Sequence, residues 1–250
     1  MIITDDRLDL TKVSVADIAL SFPQAVEVLT RYNLDYCCGG KKSFNLVCKR
    51  AGLNPESIWE EIQLASISVG PDSSMRYDTW EAPLLIDFVI QHHHQYVRDS
   101  IPQIQALLDK VCNAHGDDSL FLLTVKDYFN KLAEELLSHL QKEEDILFHV
   151  IRKIFRASTS EEELPIGQHQ LSSLLIVIED GHEIAGQLIK SIRTLTNNYI
   201  PPASACPTFK LAYVMLNQFD KDLIQHVHLE NNILFPKAMG IYDKHSVIYQ

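Results

Sequence analysis

The sequence predicts an all-α protein, with a small helical N-terminal domain followed by an up-down-up-down four-helix bundle. From Trp80 onward, apolar residues recur at steps of three and four, the spacing of amphipathic helices. Strand signals are weak, with few alternating β-branched runs and no Asn-Gly hairpin. Breakers at Asn113–Ser119, Ser158–Pro165 and Asn197–Pro207 divide this part into four segments. Each predicted helix has about 30 residues and a length of roughly 45 Å, which suits a bundle with short loops.

The N-terminal domain is predicted over residues 1–68 as short helices joined by turns. Helical spacing of apolar residues predicts one helix from Asp17 to Tyr32, and a second short helix runs from Ser43 to Arg50. Pro55 follows Asn54 at a favoured first-turn position, so a third helix is expected to start there.

Domain boundaries follow from composition. Residues 69–79 are rich in Gly, Pro, Ser and Asp and predict a linker. Residues 80–245 then form the predicted bundle. Within it, Ser160 and Glu163 have the spacing of a capping box.

Composition narrows the range of partners and locations. The 250 residues carry 22 Lys plus Arg and 33 Asp plus Glu, a formal net charge of −11. Such a chain is a poor phosphate binder, so no nucleic acid and no anionic membrane partner is expected. No apolar run reaches the ~20 residues of a membrane helix. The N-terminal residues lack the basic and apolar regions of a signal peptide, so we expect a cytoplasmic protein.

Each apolar stripe of the predicted bundle contains a histidine. The first helix places His93 or His94 in its stripe, and the third places His182 there. The second and fourth stripes also contain a glutamate one turn after the histidine. The second stripe comprises Leu122, Val125, Phe129, Leu132, Leu136, His139, Glu143, Ile146 and Val150. The fourth comprises Leu211, Met215, Phe219, Leu223, His226, Glu230 and Ile233.

Two of these segments form an internal repeat. Residues 139–148 and 226–235 both read His-x3-Glu-x2-Ile-Leu-Phe. The midpoints between residues 94 and 139, 139 and 182, and 182 and 226 all fall in the predicted loops. Because antiparallel neighbours bring together residues equally far from their loop, the four histidines are expected at one level of the bundle.

Four imidazoles and two carboxylates in a dry core predict a metal centre. A buried unpaired carboxylate is costly, and no Lys or Arg lies on these stripes to pair with it. Imidazole and carboxylate ligands suit iron, manganese or zinc. Six ligands exceed one tetrahedral zinc and suit two metals with bridging glutamates and an oxo or hydroxo bridge. The alternatives are four core histidines with ordinary hydrogen bonds, or a zinc-bound structural scaffold.

Other titratable residues are weaker candidates. Spacing does not choose between His93 and His94 on the first helix. His115 lies in a predicted loop and is expected to be solvated. Glu179-x-x-His182 is the single match to the paired Glu-x-x-His of ferritin-like sites, so Glu179 is interpreted as a surface or supporting residue.

The assembled motifs resemble hemerythrin-like di-iron bundles and, more closely, the iron–sulfur cluster repair di-iron proteins (the RIC family). The resemblance spans about residues 13–238. It rests on the strings Asp35-Tyr-Cys-Cys-Gly-Gly40, Leu85-Ile-Asp-Phe88, Lys142-Glu-Glu144, His182-Glu183 and Leu229-Glu-Asn-Asn-Ile-Leu-Phe-Pro236.

This resemblance implies two iron ions and a function in restoring iron–sulfur clusters damaged by nitric oxide or oxidative stress. Iron donation or nitric oxide chemistry, including its reduction, would take place at the di-iron centre. Damaged iron–sulfur proteins would be the partners, nitric oxide or O2 the small ligands, and a homodimer is compatible with the family. The alternative is an oxygen- or nitric oxide-binding sensor or carrier without repair activity. The family pattern selects His94 over His93, and the implied ligands are His94, His139, Glu143, His182, His226 and Glu230.

The resemblance also marks Cys37 and Cys38 as the family's N-terminal thiols. Thiol exchange is one interpretation, and packing of two small apolar residues at a helix end is the other. Cys48, Cys112 and Cys206 are expected to be structural. The chain departs from the family at Gly186, where hemerythrin itself has a histidine, at Phe148-His149 in place of Phe-Pro, and in a longer segment 151–167.

Overall fold

The computed structural model describes residues 8–22, 24–37, 39–68, 75–116, 119–160 and 163–248. Within these ranges the all-α prediction is confirmed. The residues form helices and one isolated backbone bridge, between Ser14 and Ser43, and no strand. None of the helices in the described ranges is long and apolar enough to cross a membrane.

The chain separates into two compact units. The first comprises the residues up to Glu81 together with the helical segment Val227–Ile233. The second comprises Ala82–His226 and the residues from Leu234 onward.

The described residues of the first unit form four short helices before residue 69, and one predicted helix boundary is wrong. Instead of one helix from Asp17 to Tyr32, α1 ends at Ser21 and α2 begins at Ala25. Pro23 in the sequence explains the break, because a residue that precedes proline is disfavoured in the α conformation. The four helices are α1 (Val15–Ser21), α2 (Ala25–Arg31), α3 (Phe44–Arg50) and α4 (Pro55–Ser68).

Local sequence signals account for two helix starts. Ser14 and Asp17 form a reciprocal capping box that begins α1. α4 begins at Pro55 as expected, and the Asn54 side-chain oxygen accepts from the Ser57 backbone N–H at 2.9 Å. Residues 69–74 of the predicted linker lie outside the described residues, and Tyr77–Thr79 form a 3₁₀ turn.

In the described residues from Ala82 onward, four long helices follow, and three of them contain a π-helical turn. α6 packs against α5 and α7, and the last part of α8 packs against the last part of α6. The helices are α5 (Ala82–Phe88, π turn Val89–His94, Gln95–His115), α6 (Phe121–Lys142, π turn Glu143–Leu147, Phe148–Ser158), α7 (Gln168–Leu195) and α8 (Pro207–Leu229, π turn Glu230–Leu234, Phe235–Ile248).

The capping box expected from Ser160 and Glu163 does not begin the third bundle helix. α7 begins at Gln168, and the Gly167 N–H donates to the Gln170 side-chain oxygen at 2.8 Å. The Ser160 hydroxyl instead donates to the Arg156 carbonyl at 3.2 Å, just beyond the end of α6. The Ser160 side chain therefore caps the end of α6 and not the start of α7. The three-residue spacing of Ser160 and Glu163 does not distinguish these two possibilities.

Two further corrections concern the apolar stripes. Ile146 was expected in the core but is 51% exposed, whereas Leu147 and Phe148 are buried and Val150 is half-buried. The π turn adds a residue to one turn of α6 and so rotates the stripe that follows.

Leu211 of α8 was also expected in the core and is 49% exposed, and Met215 is half-buried. Steps of four residues overshoot a 3.6-residue turn, so a stripe extended backward from Phe219 drifts off the core face.

Candidate metal centre

The six residues predicted as ligands are buried among the bundle helices. Glu143 and Glu230 are 0% exposed and the least buried, His139, is 8% exposed. Their ligand atoms form two groups, each with atoms within 4.8 Å of one another. The first contains His94, Glu143, His226 and Glu230, and the second contains His139, Glu143 and His182. Glu143 is the residue that the two groups share.

Three imidazoles face the Glu143 carboxylate. The His139 and His182 Nε2 atoms lie 3.0 Å and 3.3 Å from Glu143 Oε1. The His94 Nε2 atom lies 3.4 Å from Oε2 of the same side chain. A carboxylate that meets imidazoles from three helices on both of its oxygens has the position expected of a bridging ligand.

A second close approach joins α5 and α8. The Nε2 atoms of His94 and His226 are 3.2 Å apart in the buried interior. Two neutral imidazoles can make this contact only if one of the two atoms carries hydrogen. A metal ion that accepts lone pairs from both nitrogens removes that restriction.

Glu144 and Arg98 orient His94. The His94 Nδ1–H donates to Glu144 Oε1 at 2.7 Å, and the Arg98 guanidinium donates to the same oxygen at 2.7 Å. A carboxylate at Nδ1 fixes the hydrogen on that nitrogen and leaves the Nε2 lone pair facing the cluster. Neither residue was predicted from the sequence. The one feature of the sequence that could have indicated them is their proximity to predicted ligands, since Arg98 lies one turn after His94 and Glu144 follows Glu143.

The π turns coincide with the predicted ligands. His94 is the last residue of the first π turn, and Glu143 and Glu230 open the other two. Single π turns within α-helices occur frequently at functional sites, because they re-aim side chains without breaking the helix. These π turns were not predicted from the sequence, although both His-x3-Glu repeats contain one.

Gly181 lets the His139 ring lie against the backbone of α7. A Cβ atom at position 181 would lie 2.5 Å from His139 Nδ1 and 2.8 Å from its Cε1. Any residue other than glycine would therefore displace this imidazole.

The donor set fits a pair of first-row metal ions. Imidazole nitrogens and carboxylate oxygens are ligands that iron, zinc and manganese share, and thiolates are absent from both groups. Glu230 belongs to the first group but not to the second, so its bridging role stays a prediction.

The remaining candidates lie outside the two groups. His115 was expected to be solvated in a loop, but it is the half-buried last residue of α5, and its Nε2 lies 3.3 Å from the Cys206 thiol. Glu179 is half-buried. His93 is fully buried, and its Nδ1–H donates to Asp222 Oδ1 at 2.9 Å. Burial lowers the pKa of His93.

In the first unit, Asp35 organises the cysteine turn. Its Oδ1 accepts from the Cys37 backbone N–H at 3.0 Å and lies 3.3 Å from the Cys37 thiol, while Oδ2 accepts from Gly39 N–H at 2.9 Å. Cys38 lies outside the described residues. Gly40 approaches its neighbours closely, since a Cβ there would lie 2.4 Å from the Tyr36 carbonyl oxygen.

His228 is a buried residue of the first unit that the sequence analysis did not single out. Burial lowers the pKa of His228 to about 4, so the ring is neutral. The Asn232 amide donates both to His228 Nδ1 at 2.9 Å and to the Tyr36 carbonyl at 3.0 Å. The segment Val227–Ile233 is thereby bonded to the residue that precedes Cys37.

Fold and donor set together define a metal-binding helical bundle of the hemerythrin type. Residues 85–238 match the family model described as the Hemerythrin HHE cation binding domain, and residues 11–66 match one described as a Domain of Unknown function (DUF542). The chain is 31% identical over 232 residues to proteins named iron-sulfur cluster repair protein YtfE in Yersinia pseudotuberculosis and Yersinia pestis, which covers 93% of this chain and 99% of those proteins. The chain therefore belongs to the hemerythrin HHE family and, within it, to the iron–sulfur cluster repair proteins, as the motifs indicated.

Proposed function

We propose that this protein restores damaged iron–sulfur clusters and holds two iron ions in its bundle. The relatives that match nearly its full length are named for this repair. The proposal is carried by the buried cluster of imidazoles around Glu143, a donor set that suits iron.

The residues of the site have distinct functions in this proposal. His94, His139, His182 and His226 anchor the ions, and Glu143 joins the two ligand groups. Glu144 and Arg98 hold His94 in the tautomer that binds metal. When bound, the iron pair would supply redox chemistry and positions for a small ligand such as nitric oxide or O2. In this proposal, iron that passes to a damaged cluster is a substrate of the protein. Imidazole and carboxylate ligands that can release the iron would favour this transfer.

Cys37 and Cys38 would exchange thiols with a partner or hold iron in transit. The half-buried Cys37 lies in a turn that Asp35 hydrogen bonds on both sides, which gives the thiol a defined position. The alternative is that the two cysteines only pack the end of a helix.

Several finer points belong to the same proposal. We place the protein in the cytoplasm and expect iron–sulfur enzymes as clients, under nitric oxide or oxidative stress. A homodimer is compatible with the family. The second candidate function is a di-iron sensor or carrier of O2 or nitric oxide, which the same ligand cluster would support without a repair activity.

Metal content and repair activity test the proposal together. Anaerobically purified protein should hold two irons per chain and should reactivate a nitric oxide-damaged aconitase-type enzyme. His139→Leu and Glu230→Leu should lose iron and reactivation while the helical content remains. His169→Gln, at an exposed histidine of α7 outside both ligand groups, is the matched control.

Three results would each contradict one part of this proposal. Zinc in place of iron in the purified protein would contradict the di-iron centre. Full iron without reactivation would favour the sensor or carrier. Normal reactivation by a Cys37→Ser, Cys38→Ser double variant would remove the thiols from the mechanism.

A further inference from the structure

A third group of metal-ligand residues lies outside the centre described above. His92, His93 and Asp222 each offer one ligand atom within 4.8 Å of the others. The group runs from solvent to interior, because His92 is exposed, the Asp222 side chain is 15% exposed and His93 is 0% exposed. All three residues belong to the second unit.

The hydrogen bond between His93 and Asp222 uses one polar atom of each side chain and leaves the other one, which is also buried, without a partner among the described residues. His93 Nδ1 and Asp222 Oδ1 satisfy each other at 2.9 Å. His93 Nε2 and Asp222 Oδ2 are buried and have no hydrogen-bond partner among the described residues. A buried polar atom without a partner costs about 1–3 kcal/mol. A cation bound between the two residues would take His93 Nδ1 in place of its hydrogen, together with an Asp222 carboxylate oxygen, and would give the buried carboxylate a partner that the imidazole alone does not supply.

Neighbouring aromatic rings hold the two histidines in place. The Phe88 ring stacks on His92 with centroids 5.0 Å apart and meets His93 edge-on at 5.5 Å. The His92 and His93 rings themselves lie 4.9 Å apart. Packing thus fixes the two imidazoles in an edge-on contact with each other, as a preformed site requires.

We propose that His92, His93 and Asp222 form a third metal site, one that takes a divalent first-row cation. Two imidazoles and a carboxylate, with positions left open for water, are a common donor set for such ions and bind Fe²⁺, Co²⁺ and Zn²⁺. This assignment explains the run of three adjacent histidines at 92–94, of which the main centre uses His94 alone.

The position of the site indicates what it does. The His93 ring lies parallel to the His226 ring, with centroids 5.5 Å apart and an interplanar angle of 6°. One face of the site therefore meets solvent at His92, and the other meets a residue of the main ligand group. Resting on the proposed function, we assign it as the entry and exit point for Fe²⁺ that moves between solvent and the main centre.

Metal titration tests the site itself. Full-length protein with both irons loaded is titrated anaerobically with Co²⁺ against a chromophoric chelator. One further ion per chain should bind, and His92→Gln or Asp222→Asn should weaken it by at least about tenfold, the usual cost of losing a metal-site partner. His169→Gln should bind Co²⁺ as the unaltered protein does, and the iron content should remain two per chain in all three variants.

Binding of no third ion, or equal Co²⁺ affinity in the His92→Gln and Asp222→Asn variants, would overturn the site. Loss of the two irons in these variants would also overturn it, because the residues would then belong to the main centre.

Loading kinetics test the transit function. Fe²⁺ uptake by metal-free protein, followed by stopped-flow absorbance, should slow by about tenfold in His92→Gln with the final iron content unchanged, because the ion loses its first binding step at the surface. An unchanged uptake rate would overturn the transit function. Both readouts are independent of cluster repair, so a protein that binds the third ion but fails to reactivate aconitase would refute the proposed function and leave this site intact.

Discussion

At the scale of single residues, Glu143 is the side chain on which the geometry of the candidate metal centre depends most. It is fully buried and faces nitrogens of His94, His139 and His182. Moving a carboxylate from water into the interior costs several kcal/mol of free energy. Interactions with these imidazoles and with a metal must offset that cost. The position is therefore suited to binding metal and unsuited to stabilising the fold alone.

Gly181 permits this arrangement, and its substitution is the sharpest test at the residue scale. Gly181→Ala should lower iron occupancy, because the new Cβ would lie 2.5 Å from His139 Nδ1 and displace a ligand ring. The cost in stability is expected to be about 1–3 kcal/mol, as for overpacked cores. Iron per chain and urea unfolding are the measurements.

Gly240→Ala is the matched control for this substitution. It is also a helical glycine, and its added Cβ would meet nothing within 4 Å. Alanine should therefore stabilise the helix by about 0.5–1 kcal/mol and leave iron unchanged. Full iron in Gly181→Ala would show that His139 is not a required ligand.

At the scale of helices, the sequence predicts the height of a residue along the bundle better than it predicts which face of the helix the residue occupies. His139 and His182 meet with ring centroids 4.6 Å apart, as their equal distances from the intervening loop required. Short antiparallel connections make this level independent of local geometry. Ile146 shows the limit, because the π turn after Glu143 rotated the following stripe and exposed this residue.

The same reasoning explains which site residues could be predicted. The ligand histidines and glutamates interrupt apolar stripes, and this made them visible in the sequence. Glu144 is one of several acidic residues near Glu143, and only the structure shows that it bonds His94. Asp222 is likewise visible only through its contact with His93, since it lies 129 residues away in sequence.

A buried ion pair between Arg193 and Asp220 holds the loop between α7 and α8 in place. Arg193 donates twice to Asp220, at 2.7 Å and 2.6 Å, and the Tyr199 hydroxyl donates to the same carboxylate at 2.7 Å. Asn197, Asn198 and Tyr199 all have positive φ, so the loop needs this support. Burial, with the Asp220 carboxylate beside it, raises the pKa of Tyr199.

Asp220→Asn should therefore destabilise the protein by about 3 kcal/mol, because it leaves a largely buried guanidinium without its counter-charge. Asp109→Asn, which breaks an exposed ion pair with Lys126, is the control and should cost less than about 1 kcal/mol. Urea unfolding followed by circular dichroism measures both. Equal losses in the two variants would contradict a structural function for the buried network.

At the scale of the whole molecule, the buried ligand cluster links metal binding to folding. A ligand that binds only the folded state adds stability, by about 4 kcal/mol when its concentration is a thousand times its Kd. Chelation of the metal should therefore lower the Tm of the unaltered protein. The metal-free fold would retain a buried carboxylate and clustered imidazoles at the cost of stability.

Glu143→Leu should separate these two contributions. Without metal, the variant should be at least as stable as the unaltered metal-free protein, because an apolar side chain replaces a buried charge. With iron added, its Tm should not rise, since the residue shared by both ligand groups is gone. Calorimetry with and without iron, with His169→Gln as the control, gives both quantities. A metal-free Glu143→Leu protein that unfolds below the unaltered metal-free protein would mean that Glu143 stabilises the fold in its own right, through its imidazole neighbours, and that the cluster is structural before it is metal-binding.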